Sequence, residues 1–464
     1  MSSSPRPDDD SEAPREAAAP PIGSLPLADR QPLSRSQRRL VWLLLAFVFV
    51  MYFKSRVATS FDSGYSIHLA VSLLEEGDLD LEEYRDVALE NDYRLMEIDG
   101  VLQSRYPVGP SVVAAPIVSV IASLGKYLFW VWDLDYFLRT QSPAAIERCV
   151  GSLFTVASVA VLFAVARLNL GFGLSMLVVF VSAFATSAWS VASRALWQHG
   201  PSMLFLSLAL YVLLRARERA SMAQYAGLYL GLAFAMRPTN ALVVVVLTLF
   251  VLLQHREHFL RFMAWASVVA VPFVAYHVSV FGTPLPWYYS QGAGKWGLDA
   301  RFFEAAAGTL ISPGRGLFLY SPIFLFSLVG AYLLWRQKRW RGLETALAAV
   351  LILHWLAISS WKVWWGGTVF GPRLFADMIP FLVYFLLPVF EQLKEKTVRQ
   401  RVLATALALS IGVSVYIHRS GARYWATWDW NIDPTNIDQD PSRLWDWDDP
   451  PFLRRTTKVE RHDG

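Results

Sequence analysis

Residues 35–52 read RSQRRLVWLLLAFVFVMY: three arginines, Arg35, Arg38 and Arg39, set directly before an apolar run from Leu40 to Tyr52. Short cytoplasmic flanks of membrane helices collect Lys and Arg, so this stretch predicts a cytoplasmic N-terminus and a first helix that runs outward. The same rule orders the rest of the chain. Basic groups recur at Arg167, at Arg215, Arg217 and Arg219, at Arg256 and Arg261, at Arg336, Lys338, Arg339 and Arg341, and at Lys394, Lys396, Arg399 and Arg401. Two apolar runs separate each cluster from the next, as in a chain that crosses out and back between cytoplasmic loops. About eleven spans follow, near residues 40–58, 146–166, 171–191, 201–214, 222–236, 239–254, 262–280, 316–335, 343–361, 374–391 and 401–418. The expected fold class is an all-α polytopic membrane protein.

Composition agrees. Of 464 residues, 54% are hydrophobic and only 17% are charged, against roughly 25% charged in soluble globular proteins. The mean hydropathy is +0.35. An ordinary cytosolic enzyme and a largely disordered chain are both excluded. The net charge of +4 is distributed in small clusters between apolar runs, which marks topology and not a nucleic-acid footprint. The single cysteine, Cys149, permits neither an internal disulfide nor a cysteine-based zinc cluster.

Residues 1–34, rich in Pro, Ala, Ser and Asp, are expected to form a disordered cytoplasmic tail. They do not read as a signal peptide, because no small-residue cleavage site follows the first apolar run. The membrane domain is placed at 35–418 and contains an outer loop at 59–145. One apolar run, Pro107 to Trp132, would reverse every later helix if it crossed, so it is read as a re-entrant or interfacial helix on the outer face. In the same loop Ile67, Leu69, Ala70, Leu73 and Leu74 form an apolar helical face before Gly77, which predicts a juxtamembrane helix. Residues 419–464 form an outer tail, acidic and rich in tryptophan (Trp425, Trp428, Trp430, Trp445, Trp447). No internal repeat is visible, which weighs against an inverted-repeat transporter.

Under this topology the unusual polar motifs fall on one side: Phe61 to Tyr65, Ser104 to Pro107, Leu196 to Pro201, Arg237 to Asn240, Ser312 to Gly316 and Gly371 to Arg373. A site opening to the outer leaflet is expected. Asp62, just beyond the first helix at the low-dielectric boundary, suits a general base; its alternative is the N-cap of the segment that follows. Arg105, Arg237, Arg315 and Arg373 could converge on a donor phosphate, since guanidinium forks match phosphate oxygens. Their alternative is snorkelling to headgroups, and Arg373 also has Asp377 four residues on. His199 is either a substrate contact or an interfacial histidine bonded to backbone. Trp364 and Trp365 form either a stacking platform for a sugar ring or part of an interfacial belt. His68, His199 and the scattered carboxylates show no ligand spacing, so no metal site is assigned, although a divalent cation stays open.

These residues resemble the GT-C superfamily of integral-membrane glycosyltransferases, in particular the bacterial branch related to protein mannosyltransferases and aminoarabinose transferases. The resemblance spans roughly residues 40–455. It rests on Asp62 after the first helix, on the continuation Leu73-Leu74-Glu75-Glu76-Gly77-Asp78-Leu79-Asp80, and on Tyr106-Pro107-Val108-Gly109-Pro110. The resemblance implies transfer of a monosaccharide from a polyprenyl-phosphate donor to a lipid, glycan or protein acceptor on the outer side, with inversion. By the same resemblance Asp62 is the base, arginines stabilise the departing lipid phosphate, and Tyr65 and Tyr106 join the substrate contacts. A bacterial cytoplasmic membrane is the implied location, with the C-terminus outside. Two departures stand out: Ser63 follows Asp62 where relatives often have a second acid, and Arg105 stands where they often have lysine. The competing readings are a flippase or transporter of a lipid-linked sugar and a scaffold whose tail binds glycan. Near-absence of acids from the spans, Asp377 excepted, favours surface chemistry over translocation.

In a Cys149→Ser background, cysteines introduced as Ala216→Cys and Lys338→Cys are expected to react with an impermeant maleimide only from the cytoplasmic side. Labelling of both from outside would invert the topology.

Overall fold

The computed structural model describes residues 32–58, 61–88, 91–129, 133–290, 297, 301–394 and 397–455. The expected tail lies outside the described residues as far as residue 31, as do Trp132 and Lys396. In chain order the helices begin with α1 (Arg35–Phe53) and α2 (Ser66–Glu75), followed by a hairpin of β1 (Leu95–Ile98) and β2 (Val101–Ser104). Then come α3 (Gly109–Phe129), α4 (Leu134–Thr140), α5 (Ala144–Arg167), α6 (Phe172–Phe184), α7 (His199–Arg215), α8 (Ala226–Met236), α9 (Ala241–Gln254) and α10 (Phe259–Phe281). The chain continues with α11 (Trp287–Ser290), α12 (Arg301–Ile311), α13 (Leu317–Tyr320), α14 (Leu325–Arg336), α15 (Gly342–Ser359), α16 (Ile379–Glu391), α17 (Val398–Arg423) and α18 (Ala426–Asp429).

Among the described residues seven helices are long and apolar enough to cross a membrane, and shorter apolar helices pack between them. Large apolar side chains stay exposed on their outer faces, among them Trp42, Leu43, Leu253, Leu260 and Leu409. A soluble protein would hide such surface, whereas lipid is its natural solvent. The chain is a multi-pass membrane protein.

Side-chain ties show how the helices run. At one end α1 closes on Arg194, whose guanidinium donates to the carbonyls of Ser55 (2.8 Å) and Tyr52 (2.6 Å) and so satisfies the helix terminus. At the same end His418 of α17 bridges Ser190 (2.8 Å) and Ser321 (2.7 Å). At the other end Arg217 meets Glu344 at 2.5 Å, and Arg339 meets Glu391 at 2.5 Å. The basic clusters and the polar motifs therefore occupy opposite ends of the bundle. Capping boxes at Ser34/Gln37 and Thr397/Gln400 start α1 and α17, satisfying amides that would otherwise be orphaned.

Several expectations need correction. The run from Pro107, expected to be re-entrant or interfacial, forms one continuous helix, α3, with Pro116 inside it. Gly109 packs it against the Ala235 carbonyl at the end of α8, and Ala114, Ala115 and Val118 join a core with α2, α4 and the first turns of α5. The predicted span 171–191 splits into α6 and a π-turn at Ala188–Ala192, and 316–335 breaks at Pro322, so that α14 starts only at Leu325. Helix α2 forms as predicted but Leu74 faces outward; its buried face runs from Ile67 to Ser72. Helix α17 continues to Arg423, so the tail starts at Tyr424 and not at 419.

Helices α14 and α16 touch backbone to backbone at Gly330, where a methyl group would overlap the Phe385 carbonyl. Small residues permit such approach between membrane helices. Gly330→Ala is expected to destabilise the bundle by about 1–3 kcal/mol, read as a lower unfolding temperature in detergent.

Candidate active site

Asp62 sits on a turn between α1 and α2, closed by the Gly64 amide bonding the Phe61 carbonyl at 3.1 Å. It is not a helix cap. Helix α2 begins at Ser66 with Tyr65 in the cap position and no side-chain cap bond. The Asp62 carboxylate instead accepts hydrogen bonds at Oδ1 from the hydroxyls of Tyr93 (3.2 Å) and Tyr106 (3.0 Å). Next door, Ser63 donates to Glu147 of α5 at 2.7 Å, and Glu147 is buried.

The two tyrosines come from the hairpin. Its Asp99-Gly100 turn has positive φ at both positions, 50° and 85°, the geometry that Asp-Gly turns supply between strands. Arg94 pins the hairpin to the turn: it pairs with Asp92 at 2.5 Å, donates to the Phe61 carbonyl at 3.2 Å, and stacks over Tyr65 at 4.8 Å. Tyr65 in turn donates to Asp92 at 3.2 Å. Tyr65 therefore belongs to the support of Asp62 and is buried there, not aimed at a substrate.

Beyond Tyr106 the site enters the bundle. Tyr106 stacks on Tyr288 with ring centres 5.1 Å apart, and Arg105 lies over Trp287 at 4.9 Å. Tyr288 and Tyr289 then line a mostly apolar cavity of about 420 Å³, together with Phe234, Arg237, Leu242, His354, Ile358 and Trp361. Its polar floor is buried. Arg237 pairs with Asp377 and reaches His199 Nδ1 at 3.2 Å, while His199 lies 3.4 Å from Asp377. Arg373 stacks over Trp197 at 4.6 Å and acts electrostatically on Asp62, Tyr288, Arg237 and Tyr106. The Nε atoms of Arg105 and Arg373 are buried and lack a hydrogen-bond partner among the described residues.

Three expected residues lie elsewhere. Arg315 is buried and donates to the carbonyls of Trp365 (2.9 Å), Gly314 (2.8 Å) and Gly367 (2.9 Å) and to Asn431 Oδ1 (2.6 Å). Its guanidinium ties the tail to the bundle and is spent there. Trp364 and Trp365 are 4% and 8% exposed and form a small core with Trp430, Ile437 and Leu444, and they line a narrow pocket with Arg315 and Arg373. Asp377 pairs with Arg237 and not, as the helical spacing allowed, with Arg373.

Arg105, Tyr106, His199, Arg237 and Arg373 do gather around the path from Asp62 to the cavity. Tyr93, Glu147, Tyr288 and Tyr289 were missed. The Asp99-Gly100 pair between short apolar strands was the readable signal for the hairpin and thus for Tyr93. Glu147, an acid in the first turn of an apolar helix, carried a weaker one. Among the described residues, no three His, Cys, Asp or Glu side chains gather as a metal site.

Comparison with known proteins gives the architecture its context. The family model described as dolichyl-phosphate-mannose-protein mannosyltransferase matches residues 127–280. The oligosaccharyltransferase AglB of Archaeoglobus fulgidus, solved with an inhibitory peptide and a dolichol-phosphate, superimposes with a TM-score of 0.53 at 12% identity, covering 92% of this chain and 62% of that one. ArnT of Cupriavidus metallidurans superimposes in its apo state with a TM-score of 0.51 at 14% identity, over 83% of this chain and 76% of that one. The chain has the GT-C fold. It spans only about three fifths of the archaeal enzyme's length and matches no curated protein sequence. Within the GT-C fold of this chain, Tyr106 links Asp62 to Tyr288 of the cavity lining.

Arg315→Ala is expected to strand buried carbonyls, at a cost of ~3 kcal/mol or more, and to free the tail. Limited proteolysis should then cut within 424–455 while the helical core survives.

Proposed function

We propose that the chain transfers a monosaccharide from a polyprenyl-phosphate donor to an acceptor hydroxyl at the outer face of a bacterial cytoplasmic membrane, with inversion. One observation carries the reading: the carboxylate of Asp62 is joined, through the stacked pair Tyr106 and Tyr288, to the mouth of an apolar cavity floored by Arg237. An apolar cavity with a few fixed cations suits a ligand that is part prenyl chain and part phosphate. A GT-C structure of ArnT from Cupriavidus metallidurans holds undecaprenyl phosphate, with a TM-score of 0.50 at 14% identity over 84% of this chain, and a lipid phosphate of that class is the donor proposed here.

In the reaction the acceptor O–H gives its proton to Asp62 as its oxygen attacks the anomeric carbon. The bond between that carbon and the phosphate oxygen breaks, and the electron pair leaves with the lipid phosphate. Arg373, Arg105 and Arg237 surround the place where that negative charge develops. Preorganised cations in a low-dielectric site stabilise such charge strongly. Arg373 and Arg105 each retain a buried N–H to offer, whereas Arg237 is already paired with Asp377; Arg237 is assigned the electrostatic contribution and the other two the direct contacts.

The test is release of free polyprenyl phosphate by protein in lipid nanodiscs, offered a panel of polyprenyl-phosphate hexoses and pentoses with a mixed acceptor extract. Asp62→Asn is expected to lose about 100-fold or more in turnover, the range of general base catalysis, with an unchanged unfolding temperature. Unaltered turnover in that variant removes Asp62 from the role. Vesicles that move a labelled lipid-linked sugar without cleaving it would establish the transporter reading instead.

A further inference from the structure

The strand register of the hairpin has a geometric result. Leu95 pairs with Ser104, Met96 with Gln103, Glu97 with Leu102 and Ile98 with Val101. The ladder continues one step outward, where the Arg105 amide donates to the Arg94 carbonyl at 2.9 Å. Tyr93 lies in the turn just before β1, where the Leu95 amide donates to the Asp92 carbonyl at 3.0 Å, and Tyr106 lies two residues past the end of β2. The hairpin between them brings the two side chains together, and both hydroxyls reach the same atom, Asp62 Oδ1.

We infer that Tyr93 is a positioning residue: with Tyr106 it forms a two-pronged clamp, held at the open end of the hairpin, that fixes the orientation of the Asp62 carboxylate for proton abstraction. The inference rests on Asp62 being the base, as proposed above. An aspartate on a turn has free rotation about two side-chain bonds, and two donors on one oxygen remove that freedom. Alignment of a base within a few tenths of an ångström is worth an order of magnitude or more in rate.

The clamp keeps its protons. Burial, and then the charge of Asp62, push both phenols up from their ordinary value, so each remains a donor through the physiological range. The other groups facing this site act differently. Arg373 acts on Asp62 through its charge, Arg94 holds the Phe61 carbonyl, Glu147 binds Ser63, and Tyr288 stacks on Tyr106. Tyr93 is the member of the clamp on the solvent side: it is 53% exposed, whereas Tyr106 stacks on Tyr288 of the cavity lining. Its role can therefore be separated from donor binding, whereas that of Tyr106 cannot.

The experiment uses the full chain in nanodiscs and the variant Tyr93→Phe, which removes one oxygen and keeps the ring. The expected result is a kcat about tenfold lower with an unchanged donor KM. Thermal unfolding supplies a readout free of turnover. Tyr93→Phe should lower the unfolding temperature in the native background and leave it unchanged in Asp62→Ala. An unchanged kcat, or an equal loss of stability in both backgrounds, overturns the clamp. If the native protein turns over no donor of the panel while the two residues remain coupled in stability, the transferase reading fails, and the positioning role with it.

Discussion

Deep in the bundle Arg237 and Asp377 meet beside His199, and the rest of the site is built around that contact. The three side chains come from the ends of α7 and α8 and from the 3₁₀ turn that leads into α16, so the ion pair fixes where three helix termini converge. A buried charge without its partner costs several kcal/mol, and the pair is correspondingly intolerant of losing one member. Its position at the cavity floor gives the cavity a cation whose location does not depend on any loop. Asp62, by contrast, stands on a turn and depends on its neighbours for its geometry.

The site thus joins two kinds of construction. The bundle contributes apolar walls and a fixed charge, held by helix packing in a solvent that offers no alternative hydrogen bonds. The segment between α1 and α5 contributes the carboxylate and its support, held by local ties among Arg94, Asp92, Tyr65 and Phe61. Trp428 of the tail packs edge-on against Phe61 at 5.7 Å, so the far end of the chain also borders the turn that carries Asp62. Arg315 holds that tail through Asn431 Oδ1, and Arg443 holds it by the carbonyls of Trp430 and Thr435, which makes it a fixed wall of the GT-C fold in this chain.

Much of this architecture was legible in the sequence because the bilayer imposes a coarse grammar. Arg35, Arg38 and Arg39 and the later basic clusters mark one end of the bundle, and the polar motifs mark the other; the ties at Arg217–Glu344 and His418–Ser321 bear this out. The finer geometry was hidden where one residue type serves two purposes. An arginine in a polar motif reads identically whether its buried Nε lacks a partner among the described residues, like that of Arg373, or its guanidinium caps carbonyls, like that of Arg315. Tandem tryptophans read identically as a platform or, as at Trp364 and Trp365, as a core. Pro116 lies inside α3 without breaking it, since a proline inside a helix can be absorbed where neighbouring elements support it. Spatial neighbours distant in sequence, such as Tyr106 and Tyr288, leave no local trace.

The hairpin between residues 95 and 104 carries a constraint on how this chain can drift. Because the two strands pair in one register, adding or removing one residue in either strand would shift Tyr93 relative to Tyr106 and break the convergence of their hydroxyls on Asp62. A change of length is neutral only when it is matched on the opposite strand, one residue for one, with the Asp99-Gly100 turn left intact. The stretch from Tyr93 to Tyr106 is therefore free to change its surface side chains while its length is locked, and among relatives of this chain that use the same support it should vary in composition far more readily than in residue count.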